Sequence, residues 1–77
     1  DPAGAEEYKA LWDGEMALRF YGDVTIDTAD GLLTVDVAEG SVLTVFSANL
    51  TAADIQNTGA GELNVVTDAA YGAVTVK

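Results

Sequence analysis

The sequence predicts an all-β domain: a small antiparallel barrel or sandwich of about five strands, with a short N-terminal helix or arm. Three observations point there. Apolar and polar residues alternate with a period of two from Met16 onward, the pattern of a strand with one buried face. Gly22, Gly31 and Gly40 stand nine residues apart, and acidic turns separate the β-rich segments around them. The connections are only a few residues long, as between antiparallel neighbours.

Residues 1–14 read as the arm and residues 15–77 as a single β domain. Within AEEYKALW, Tyr8, Leu11 and Trp12 fall at i, i+3 and i+4 and form one apolar stripe. Glu6 and Glu7 place negative charge near the helix start, and Asp13-Gly14 stops it. Two helical turns are marginal in water, so the stripe must dock, on its own domain or on a neighbouring subunit.

Met16 to Asp27 reads as one long strand. Met16, Leu18, Phe20, Val24 and Ile26 face one way, and Ala17, Arg19, Tyr21, Asp23, Thr25 and Asp27 the other. Gly22 interrupts the apolar face, which marks a bulge, a bend or the close approach of another backbone. Thr28 to Gly31 reads as a hairpin loop, with Asp30 capping amides and Gly31 at positive φ. The next strand, Leu32 to Val37, points Leu33, Val35 and Val37 inward. After a turn at Ala38-Glu39-Gly40, Ser41 to Ser47 carries VLTVF, apolar on both faces, so it is central in a sandwich or exposed to a partner on one side.

Asn49 to Gly61 breaks the β pattern. Thr51 is placed to cap a short helical turn near 51–57. The last pair, Glu62 to Thr67 and Ala73 to Lys77, is joined by a loop through Asp68 to Gly72. Asn49-Leu50-Thr51 also matches a glycosylation acceptor, but a chain-turning Asn49 and a capping Thr51 account for the same residues.

Composition narrows the function. Thirteen acidic residues against Lys9, Arg19 and Lys77 give a net charge of −10, which repels nucleic acid and anionic membranes. No apolar run approaches the roughly 20 residues of a spanning helix, so membrane insertion is not expected. With no His and no Cys, histidine and cysteine nucleophile systems and thiolate or imidazole zinc sites are excluded within the chain. No catalytic residue set emerges, and the expected protein is not an enzyme. The opening Asp1-Pro2 fits a removed leader or pro-segment, or a fragment.

Nine-residue glycine spacing raises the calcium-stacking β-roll. That signature needs paired glycines and an aspartate in each turn, and single glycines here do not supply it. A looser calcium site would draw on Asp27, Asp30, Asp36 and Glu39. The reading carried forward is solvated turn acids, with no cofactor and no metal expected.

The candidate interface residues are Tyr8, Leu11, Trp12, Tyr21, Val42, Thr44, Phe46 and Tyr71. Exposed tyrosines and a two-sided apolar strand are the material of protein contacts. The function expected is a non-enzymatic structural or accessory subunit packing in a larger protein assembly, in first place a virion- or capsid-associated stabilising protein at a virion or extracellular surface. Its partners would be other protein subunits, in a homo-oligomer or lattice. The alternatives are an extracellular carbohydrate- or protein-binding module, and a surface-layer or filament subunit.

Overall fold

In a computed structural model, the structure describes residues 15–77. The N-terminal helix or arm expected over residues 1–14 lies outside the described residues. Seven short strands are present: β1 (Glu15–Arg19), β2 (Val24–Ile26), β3 (Leu33–Val35), β4 (Val42–Ser47), β5 (Ile55–Asn57), β6 (Glu62–Thr67) and β7 (Val74–Val76).

The expected β character holds, but the antiparallel barrel or sandwich does not. Among the described residues all four strand pairs are parallel, and they make three small sheets, β1-β4-β6, β2-β7 and β3-β5, with no closed barrel. The chain visits these sheets in turn, as the walls of a three-sided coil. β1, β2 and β3 form the first turn and β4 begins the second directly beside β1.

The physical reason lies in the nine-residue spacing. Strands β1 to β4 begin at 15, 24, 33 and 42, so each side of the coil takes nine residues. Three sides take 27, the offset between Glu15 and its register partner Val42. A short connection therefore leads to the next wall instead of folding back on its own sheet. The long strand expected over 16–27 is accordingly two strands separated by a corner at residues 20–23. Gly31 (φ 79°) and Gly40 (φ 86°) occupy later corners in the left-handed region that glycine adopts without cost.

Parallel stacking places like positions in columns. Leu18, Val45 and Val65 share one inward column of the first wall, and Met16, Leu43 and Leu63 another. Leu43, Val45 and Val37 are fully buried, joined in the core by Leu18, Phe20, Leu33, Val35, Leu50, Ile55 and Val74. The inward assignment of Leu33, Val35 and Val37 is confirmed, whereas Val24 is exposed. β4 is central, flanked by β1 and β6.

The second turn is shorter, 20 residues from Val42 to Glu62 by register. Its helical content is a single 3-10 turn, Ala52–Asp54, and residues 55–57 are strand β5 instead of the expected helix. The Asp54 carboxylate accepts both the Thr51 amide (2.9 Å) and the Thr51 hydroxyl (3.1 Å), satisfying a donor that a helix start would leave open.

The expected pairing of the last two strands is also corrected. β6 pairs with β4, while β7 runs beside β2. The end of the chain thus climbs back from the third turn and enters between the first turn and the second. The Gly72 amide donates to the Phe20 carbonyl (2.7 Å), and its own carbonyl accepts the Ala48 amide (2.8 Å). Beside it, Asn49 acts as a substitute strand: Oδ1 accepts the Val74 amide (2.7 Å) and Nδ2 donates to the Val74 carbonyl (2.8 Å).

Three substitutions test this insertion by urea unfolding. A Cβ at Gly72 would overlap the Gly22 carbonyl oxygen and stand 2.5 Å from its carbon, so Gly72→Ala is expected to cost about 2 kcal/mol or more. Gly22→Ala meets nothing within 4 Å and should change stability by less than about 1 kcal/mol. Equal losses at the two positions would contradict the close approach. Asn49→Ala removes both bonds to Val74 and is expected to cost about 2–3 kcal/mol; an unchanged urea midpoint would contradict the clamp.

Candidate interaction surface

The outward side of the first wall carries a set of exposed and half-buried contact groups. Arg19 and Phe46 are register partners on β1 and β4, and both point outward because Leu18 and Val45 point in. The Arg19 guanidinium carbon lies 4.8 Å from the Phe46 ring centroid, within cation–π range. Phe46 stands 5.3 Å from Tyr71 with the rings tilted by 41°, and Tyr71 stands 6.0 Å from Tyr21 at 44°. Arg19, Phe46, Tyr71 and Tyr21 therefore form one continuous ladder.

The returning chain builds this ladder. After β6, the Tyr71 amide donates to the Asp68 carbonyl (3.0 Å), and Asp68 Oδ1 accepts the Ala70 amide (2.9 Å). This turn aims the chain upward and lays Tyr71 over Phe46, 25 residues earlier. Tyr71 and Phe46 are half-buried as a result. Tyr21 sits at the outer end and remains 78% exposed. Next to the ladder, a shallow depression is lined by Met16, Ala17, Arg19, Thr44 and Phe46.

The sequence-based candidates fare differently. Val42, Thr44 and Phe46 share the outward row of β4, all half-buried, and Phe46 meets Tyr71 and Tyr21 as one group. Tyr8, Leu11 and Trp12 lie outside the described residues. Arg19 was missing from the candidates. Its signal was its position two residues before Tyr21 on the outward parity, one of only three cations in the chain.

Four of the acidic residues, Asp23, Asp30, Asp54 and Asp68, serve as local fasteners. Asp30 Oδ1 accepts the Leu32 amide (3.1 Å), and Asp23 Oδ1 accepts the Ala73 amide (3.0 Å), tying the first-turn corner to the inserted strand. Among the described residues, no three His, Cys, Asp or Glu side chains gather where they could hold a metal ion. Asp27, Asp30, Asp36 and Glu39 are thus not brought together as a site. No helix among the described residues is long and apolar enough to cross a membrane.

No protein-family model, characterised protein or solved structure matches this chain. The functional reading therefore rests on the surface itself. Its groups can stack, take part in cation–π contact and donate hydrogen bonds from the guanidinium and phenols.

The ladder also has an internal energetic order. Tyr71→Ala strips cover from Phe46 and is expected to lower stability by about 1–2 kcal/mol. Tyr21→Ala, at the exposed end, is expected to stay within about 0.5 kcal/mol. Thermal melts of the two variants check this ordering, which a larger loss at Tyr21 would overturn.

Proposed function

We propose that the protein is a non-enzymatic structural subunit that packs against neighbouring protein chains, as a stabilising component of a virion surface or a similar ordered assembly. The observation that carries this reading is the Arg19–Phe46–Tyr71–Tyr21 ladder. Arginine and tyrosine are the residues over-represented where binding energy concentrates at protein interfaces. Here they are brought together from three chain segments. Tyr21 leaves a large ring exposed at little cost in side-chain entropy on binding.

Two further features support it. The rings are tilted by 41° and 44°, which suits an irregular protein surface better than a flat sugar ring. The net charge of −10 keeps the free subunit soluble and steers it toward partners with positive potential.

Side-chain footprinting tests the proposal. Tyr21 and Tyr71 would be labelled in the isolated protein and in the native assembly from which it is recovered. Tyr21 labelling is expected to fall several-fold on assembly, and Tyr21→Ser with Arg19→Glu to abolish incorporation without lowering the melting temperature. Equal labelling in both states would refute a role for this face.

A further inference from the structure

Among the described residues, β6 is the outermost strand of the first wall. It reads ELNVVT, without Pro, Gly or Lys and with Glu62 as its single charge. Sheet edges are ordinarily blunted by such residues, because a bare edge is a template for another strand. Its inward Leu63 and Val65 are half-buried, while Leu43 and Val45 in the same columns are fully buried. Bonding parity is also set. The Glu62 amide donates to the Ser41 carbonyl (2.9 Å) and the Asp68 amide to the Ser47 carbonyl (2.8 Å). Even-numbered residues thus turn their backbone groups toward β4, and Leu63, Val65 and Thr67 turn theirs to the edge.

We propose that β6 is a self-association site: two copies pair their β6 strands antiparallel about a two-fold axis. The first wall would then become one sheet with three strands from each copy. Edge-facing groups meet edge-facing groups, and inner side chains meet inner ones, only if the axis passes through a residue position. Two positions bring the strands into full overlap. An axis at Val65 sets Glu62 opposite Asp68 of the second copy, twice over, and directly opposed like charges are destabilising. An axis at Asn64 sets Glu62 opposite Val66 and Leu63 opposite Val65. The second register avoids the clash and joins the half-buried apolar pairs of both copies into one covered strip.

Asn64 then faces Asn64 of the second copy in a non-hydrogen-bonded pair, where Cα atoms approach to about 4.5 Å. Each amide carries both a donor and an acceptor for the other. What selects a second copy as occupant is that the strand complements itself. In this register Leu63 and Val65 of each copy meet and Glu62 faces an uncharged residue. The contact therefore adds no directly opposed like charges to the repulsion between two chains of net charge −10. A two-fold contact of this kind closes on itself and does not propagate. It adjoins the aromatic ladder, since Phe46 is the register partner of Val66, but it uses the edge backbone of β6 where the ladder uses outward side chains, so the two are tested separately.

The test uses residue 64, whose side chain is exposed in the single copy. Light scattering on the wild type is expected to show twice the monomer mass, falling to the monomer on dilution. Asn64→Lys and Asn64→Asp should both weaken the dimer, by on the order of five-fold. General attraction to an acidic surface would instead make the lysine variant stronger. The chain has no cysteine, so Asn64→Cys reports the register directly: oxidation with diamide should link it into a covalent dimer. Val66→Cys should link poorly, because the two thiols would stand roughly 13–14 Å apart along the strands. A monomer up to millimolar concentration, strengthening by Asn64→Lys, or equal cross-linking at 64 and 66 would each overturn the proposal. Loss of dimer in the residue-64 variants with Tyr21 footprints unchanged would leave the role of the ladder intact.

Discussion

The second wall depends on one side chain that behaves as backbone. Asn49 offers Val74 an acceptor and a donor at 2.7 and 2.8 Å, the pair of bonds a neighbouring strand would provide. Without it, β7 would have β2 on one side and an unsatisfied edge on the other. The clamp matters because the second turn is too short to lay a regular strand at this level. Ser47 turns the chain inward there, its hydroxyl accepting the Leu50 amide at 2.8 Å, and Leu50 becomes fully buried. That retreat leaves the slot that β7 fills. The slot in turn requires a residue without a side chain where the chain enters, and Gly72 occupies that point against Gly22.

Much of this was legible residue by residue. The alternation through Met16, Leu18 and Phe20, the inward Leu33, Val35 and Val37, the bounds of β6 and the positive φ of Gly31 follow from local rules. What did not follow was partnership. Nine-residue spacing is compatible with hairpins and with the sides of a coil, because both place a short turn after a short strand. The deciding quantity, the 27-residue offset from Glu15 to Val42, concerns residues far apart in the chain. The expected helical turn near 51–57 shrank to Ala52–Asp54 because Ile55 is drawn into the core beside Leu33. A bulge, a bend or a close backbone approach was expected at Gly22; of the three the close approach occurs there, but the missing Cβ that permits it belongs to Gly72.

The same insertion shapes the surface. Tyr71 reaches Phe46 only because the chain returns upward after β6, and Tyr21 reaches Tyr71 only because the corner at 20–23 ends the first strand. Sequence reasoning selected these aromatics individually, from parity and composition, but contact among them is a product of the threading. Acidic side chains follow a parallel logic. Asp23, Asp30, Asp54 and Asp68 each accept backbone amides, so part of the large negative charge is the cost of building tight corners in a coil with few residues per turn. The walls are left with few charges, and wall one presents its aromatic ladder and, among the described residues, the outer edge of β6.

Native-state hydrogen exchange measures the central claim directly. If β7 is locked between the turns, the amides of Gly72, Val74 and Lys77, bonded to Phe20, Asn49 and Ile26, will be protected to nearly the same degree as Val45 in the core. Strands that are merely laid on a surface exchange by local opening. Protection of these amides at the level of global unfolding is the predicted result. Exchange within the dead time, with Val45 still protected, would contradict the inserted strand and the surface built upon it.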